Sequence, residues 1–339
     1  MNNLFVYCEQ TEEGEVADVS LELLSKGRKL AEQLGVKLEA ILLGINLDAT
    51  KEQLAHFDIY RLHCADDSRL FPYRTLPHAK LVQAIFEQEK PEIALFGASS
   101  VGRDLAPRVA SALKCGLTAD CTSLEIGDHE EKKLGKTYKN LLYQIRPAFG
   151  GNIIATIINP ETRPQMATVR EGVMKLEPLA TKNVPEIQPI DLSILTDVEE
   201  LVKIIDRHIE PPKVNLKGSQ IIIAGGYGMG SKENFETLYK LAEVLGGEVG
   251  ATRAAVDAGF CGHERQIGQT GVTVRPKLYI ACGISGSVQH RAGMDESAKI
   301  ISMNTDENAP INAIADYTVI GDVMQVLPKV VAYYRKHSK

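Results

Sequence analysis

Tryptophan is absent from the 339 residues, and with it several features that would commit the chain to a class. No apolar run approaches the roughly 20 residues needed to cross a bilayer, so no membrane insertion is expected. Basic residues do not predominate: 38 Lys and Arg face 44 Asp and Glu, for a formal charge of -6. Nucleic-acid and anionic-membrane surfaces would want the reverse, so neither partner is expected. Cys8, Cys64, Cys115, Cys121, Cys261 and Cys282 are scattered, without a Cys-x-x-Cys pair or a His at zinc-ligand spacing. They read as buried or free thiols, and no metal site is expected. The first residues, Met1 to Tyr7, have no basic flank before a long apolar stretch. They read as a strand rather than a leader, and the expected setting is cytoplasmic or similarly reducing.

What is present is an alternation of strand and helix in a chain too long for one core. Strands are expected at Leu4–Cys8, Lys37–Leu43, Ile59–His63 and Ile93–Gly97, and helices at Ser20–Leu34, Pro77–Gln88 and Asp104–Leu113. That order argues for an α/β fold with a mostly parallel sheet. Strands near Tyr138–Gln144 and Ile153–Ile158 lack intervening helices, which suggests an antiparallel portion. From about Glu177 to Lys217, prolines at 178, 185, 189, 211 and 212 mark a connector with one short helix at Val198–His208. Pro211-Pro212 is the best boundary, giving domains of 1–208 and 209–339.

The second domain opens with an Ile-rich strand, Ser219–Ala224, then Gly225-Gly226-Tyr227-Gly228-Met229-Gly230, then a helix at Glu233–Leu245. Strand, glycine loop and helix begin a nucleotide-binding unit. The loop is not Gly-x-Gly-x-x-Gly, and the ribose-binding acid of a dinucleotide fingerprint is missing. Phosphate binding and a plain tight turn both remain open for it. Thr252-Arg253 sits among small residues and suits an anionic or flat ligand, although an ion pair with Asp257 is the plain alternative. Gln266-Ile267-Gly268-Gln269-Thr270-Gly271 suits hydrogen bonding to a polar ring edge, or is a generic turn. The densest segment runs from Leu278 to Met294 and contains Gly283-Ile284-Ser285-Gly286-Ser287-Val288-Gln289-His290. It lacks the Gly-x-Ser-x-Gly of a hydrolase elbow, which removes nucleophilic catalysis. Asn304 and Asp322 follow further strands and read as edge ligands or as helix caps.

Taken in order from Ser219 to Asp322, these segments resemble the FAD domain of electron transfer flavoprotein alpha subunits. The closest likeness is in Tyr279–Met294; Gly116 to Cys121 also looks like the family. The resemblance implies a nucleotide-binding-like α/β domain followed by a doubly wound parallel-sheet FAD domain. It implies Arg253 against the flavin, Thr252 nearby, and Ile267, Gly268, Gln269 and Thr270 along the ring, with Thr270 near N5. Ser285, Gly286, Ser287, Val288, Gln289 and His290 would hold the pyrophosphate, ribityl chain and pyrimidine edge. Asn304 and Asp322 would lie toward adenosine. Arg253, Thr270 and His290 would tune the redox chemistry, His290 by donating to the flavin C2 carbonyl. Many relatives carry Arg at the position of Tyr227, where an aromatic contact would replace a charged one.

The family works as a heterodimer with a beta subunit that holds AMP or, in electron-bifurcating forms, a second FAD. The chain would carry electrons between acyl-CoA dehydrogenase-type or other flavoproteins, with oxidoreductase activity only alongside its partners. The rivals are a nicotinamide-dependent dehydrogenase, which wants the missing fingerprint, and a non-redox nucleotide-binding regulatory or assembly subunit, which would dispense with Arg253, His290 and the serine loop.

Overall fold

The computed structural model describes residues 2–132, 135–148, 153–195, 202, 204–207 and 214–337. They fall into two compact units, the first running through Arg207 and the second built from the chain that follows.

In the first unit the order is β1 (Leu4–Cys8), α1 (Asp18–Leu34), β2 (Leu38–Gly44), α2 (Asp48–Leu54), β3 (Arg61–Asp66), α3 (Thr75–Glu89), β4 (Ile93–Gly97), α4 (Ser100–Leu113) and β5 (Leu117–Cys121). There follow β6 (Ser123–Glu131), β7 (Lys136–Ala148), β8 (Ile153–Ile157), β9 (Gln165–Val169) and β10 (Glu186–Pro189). Seven strands form one sheet in the order β10-β3-β2-β1-β4-β9-β5, and every pairing in it is parallel. Helices cover both faces, so central strands can be apolar at every position. β1 is the example: Leu4, Val6 and Cys8 enter one core cluster while Phe5 and Tyr7 enter the other, following the two-residue period of a strand. The antiparallel portion exists, but as a separate three-stranded sheet, β6-β7-β8, rather than as part of the main one.

The expected connector is corrected at its start. β10 pairs with β3 at the sheet edge, and Leu195 is fully buried. Pro189 fits there because an edge strand can spare a ladder N–H. The helix expected at Val198–His208 falls largely outside the described residues; Val202 and residues 204–207 have no regular secondary structure. Pro211 and Pro212 also lie outside them.

The second unit runs β11 (Ile221–Gly225), α5 (Lys232–Leu245), β12 (Glu248–Ala251), α6 (Arg253–Asp257), β13 (Leu278–Cys282), α7 (Val288–Arg291), β14 (Ile300–Asn304), β15 (Tyr317–Ile320) and α8 (Val323–His337). Its sheet is wholly parallel, in the order β12-β11-β13-β14-β15. The Ser231 hydroxyl caps α5 by accepting from the Asn234 N–H at 3.3 Å, which satisfies one of the helix's free donors. Gly246 ends it at φ 68°, a left-handed value glycine adopts without strain. Phe235, Leu238 and Leu241 on the inner face pack with Ile223, Ile280 and Met303 of the strands. Among the described residues no helix is long and apolar enough to cross a membrane.

Candidate functional site

In the second sheet the strand order reverses between β11 and β13, since β12 lies on one side of β11 and β13 on the other. Open parallel sheets bind ligands outside the carboxyl ends of their strands at such a point. A cavity of about 720 Å³ lies there, lined by the loops that follow β11, β12, β13 and β14. That volume is within the ~300–1,000 Å³ usual for cofactor and ligand sites.

The glycine loop after β11 has a packing reason. A Cβ on Gly226 would stand 2.1 Å from the Gly283 carbonyl oxygen, and the Gly228 N–H donates to that same oxygen at 3.1 Å. The first loop is thus pressed against the loop after β13, and both line the cavity. Tyr227, at its tip, is 65% exposed and stacks on Phe260 with ring centroids 5.8 Å apart. It presents a large aromatic surface where the loop alone offers only backbone.

β12 is followed by Thr252, whose hydroxyl caps α6 by accepting from the Ala255 N–H at 3.4 Å. Arg253 begins that helix and reaches Asp257 one turn on, Nε to Oδ2, at 3.4 Å. Arg253 makes that surface ion pair, its plainer reading, and also lines the cavity. Both side chains are well exposed, so the pair holds Arg253 weakly.

Gln266 is buried, and its Nε2 donates to the Thr270 hydroxyl at 3.0 Å. With an acceptor site filled, the Thr270 hydroxyl keeps its own proton for the cavity. His290 is buried beneath this loop. Its Nδ1 donates to the Ile267 carbonyl at 3.0 Å, and the hydroxyl of fully buried Tyr279 lies 2.9 Å from Nε2. A ring protonated at Nδ1 accepts from Tyr279 through Nε2. Burial holds the imidazole down at about 4, with the Ile267 bond pulling weakly the other way. His290 lines the cavity, but both ring nitrogens are engaged, which corrects the expectation of a free ring N–H donor.

The loop after β13 turns at Gly286, at φ 85°, where a Cβ would meet the Ile311 backbone nitrogen at 2.4 Å. Glycine is therefore required there. The hydroxyls of Ser285 and Ser287, on either side of it, line the cavity and make no hydrogen bond among the described residues. Asn304 also lines it, though its amide is used locally, donating to the Ile284 carbonyl at 2.9 Å and accepting from the Asp306 N–H at 3.0 Å.

The cavity thus brings together Tyr227, Thr252, Arg253, the Ile267–Thr270 run, Ser285, Gly286, Ser287, Gln289, His290 and Asn304. Val288 and Asp322 are not in its lining. Val288 opens α7 with an exposed side chain. Asp322 caps α8, accepting from the Met324 N–H at 2.9 Å, which is the plainer of its two readings. His263 and Glu264 also lie outside the lining and are exposed. Unforeseen wall residues are Ala254, Asp257, Asp306 and Ala309. Their only sequence signal is their nearness to Arg253 and Asn304. Among the described residues no group of acids, histidines and cysteines could hold a metal ion.

Free serine hydroxyls beside a required glycine, a hydroxyl with a proton to give, and a cation at the mouth suit a ligand with phosphates and a polar ring. This is the donor set of a dinucleotide-type cofactor domain. The comparisons agree: residues 4–195 match the electron transfer flavoprotein domain and residues 215–295 the electron transfer flavoprotein FAD-binding domain. The chain is 44% identical to electron transfer flavoprotein subunit alpha of Clostridium acetobutylicum, covering 97% of this chain and 96% of that one. It is 46% identical to protein FixB of Clostridium saccharobutylicum, over 97% and 95%. It is 40% identical to acryloyl-CoA reductase electron transfer subunit beta of Anaerotignum propionicum, over 97% and 94%. The chain belongs to the electron transfer flavoprotein alpha-subunit family, and is an electron-transferring flavoprotein.

Proposed function

We propose that this chain carries FAD in the cavity of its second unit and acts as one half of a heterodimer, passing electrons between flavoprotein dehydrogenases and an acceptor. The observation that carries the reading is the convergence of Arg253, Thr270, Ser285, Ser287 and His290 on one cavity at the carboxyl edge of the sheet. A dinucleotide that brings its own redox chemistry needs from the protein binding, orientation and electrostatics.

Ser285 and Ser287 are the proposed phosphate donors. The Thr270 hydroxyl, held by Gln266, would donate to a ring atom. Arg253 would favour negative charge on the reduced ring through space. His290 acts as a neutral wall fixed from both sides, so it contributes shape and dipole rather than charge. The first unit is the proposed seat of the beta subunit. The acryloyl-CoA reductase subunit among the relatives supports an acyl-CoA dehydrogenase-type partner.

Co-purification with the beta subunit, followed by release and counting of nucleotides, tests this reading. One FAD with one AMP supports the ordinary shuttle. Two FADs without AMP support electron bifurcation, with this chain holding the flavin that serves the dehydrogenase. A colourless complex that refuses added FAD overturns the proposal in favour of a non-redox nucleotide-binding subunit.

A further inference from the structure

The first unit has a cavity of its own, of about 310 Å³, where β1 and β2 end and α4 begins. The strand order of the seven-stranded sheet reverses at β1, with β2 on one side and β4 on the other. This is again the place where open parallel sheets take ligands. The walls are aromatic: Tyr7, Phe71, Tyr73 and His78.

Three polar groups converge on it. Tyr7 is 4% exposed, and its hydroxyl makes no hydrogen bond among the described residues. His78 is 2% exposed; its Nδ1 donates to the Arg74 carbonyl at 2.9 Å, which leaves Nε2 a lone pair with no partner among the described residues. Glu9 accepts from the Ser99 hydroxyl and forms no ion pair among the described residues. Burial pushes its carboxyl up, the Ser99 bond holds it down in part, and Glu171 adds to the rise. A largely buried carboxylate without a counter-ion is costly.

An anion is a poor occupant. Glu9 already holds the place beside the first turn of α4, and Glu12 and Glu13 add like charge to the lining. A cation suits every feature: the carboxylate neutralises it, the lone pair and the hydroxyl oxygen accept its N–H groups, and the rings offer their faces. The rim already seats one. The Arg207 guanidinium pairs with Glu12 and stands over the Phe71 ring, 5.7 Å from its centroid.

We propose that this cavity is a receptor for a small organic cation, an amine or guanidine of a few carbons, with Glu9 as counter-ion and Tyr7 and His78 as acceptors. The site lies outside the flavin cavity and does not depend on the FAD reading.

The test is calorimetric titration of the full-length chain with agmatine, with uncharged butylurea as the control. The expected result is saturable one-site binding with Kd of about 1 mM or tighter. Glu9→Gln is expected to weaken it about tenfold or more, and Tyr7→Phe severalfold, with flavin content unchanged. Without agmatine, Glu9→Gln is expected to melt no lower than the wild type, because it removes a buried charge that lacks a partner. The proposal is overturned by no saturable heat up to about 10 mM, by equal binding of butylurea, by binding unchanged in Glu9→Gln, or by a lowered melting temperature for that variant. The same titration on flavin-free protein should agree, so failure of the FAD reading leaves the result interpretable.

Discussion

His290 shows how one hydrogen bond decides what a residue can do. Tyr279 donates to its Nε2 and the Ile267 carbonyl takes its Nδ1 proton, so the ring is neutral and fixed. Tyr279→Phe should cost about 1–3 kcal/mol, since it strands a buried acceptor; urea unfolding measures this. His78 in the first unit is likewise held at about 4, by burial first, from an ordinary 6.5. For both histidines the folded value lies below the unfolded one. As the pH falls below 6.5 the unfolded chain takes up protons that the folded chain refuses. Stability is therefore full above 6.5 and is lost between 6.5 and about 4, by about 3 kcal/mol for each. Denaturation across that range checks the slope, and His78→Gln or His290→Asn should flatten it. Arg253 is more exposed, so its effect should be modest. Arg253→Ala is expected to lower the flavin's first one-electron potential by about 40 mV, equivalent to about 1 kcal/mol; an unchanged potential in a spectroelectrochemical titration would count against its role.

At the scale of elements, strands with continuous apolar runs could be read directly. Leu4–Cys8 and Ile93–Gly97 are buried at every position, and only a sheet covered on both faces tolerates that. β10 was not legible: Glu186-Ile187-Gln188-Pro189 is exposed throughout and is a strand only because β3 accepts it as an edge. α2 escaped for a similar reason, since its seven residues bury only Thr50 and Leu54. β2 contains a residue that periodicity treats as a surface position. Glu39 is 1% exposed, with Oε2 at 2.6 Å from His63 Nε2 on neighbouring β3. Burial pushes its carboxyl up, but the bonds from His63 and Asn3 outweigh that and leave it lowered. Glu39→Ala should cost about 1–3 kcal/mol by leaving buried His63 without its hydrogen-bond partner, read as a fall in the urea midpoint. In the cavity, the glycines and serines were legible because their smallness and hydroxyls state their use. The roles of His290 and Asp322 were not. They depend on which neighbour claims the side chain, Tyr279 in one case and the first turn of α8 in the other.

For the whole molecule, the proposed reading assigns electron transfer to the second unit and association to the first. The two units are built on the same plan, a parallel sheet with a cavity at its point of strand reversal. Their linings differ in chemistry. Hydroxyl donors and Arg253 accompany Asp257 and Asp306 in the second, whereas Glu9, Glu12 and Glu13 gather in the first, whose lining among the described residues has no Lys or Arg. That contrast explains why a phosphorylated cofactor is assigned to one cavity only. FAD affinity of a serine-less cavity tests the assignment most directly. Stripped heterodimer carrying Ser285→Ala and Ser287→Ala is titrated with FAD alongside the wild type, by quenching of flavin fluorescence. Loss of two bonds to charged oxygens predicts a cost of about 3 kcal/mol, or weakening of about a hundredfold or more. Unchanged affinity in a correctly folded double variant would contradict the placement of FAD in this cavity.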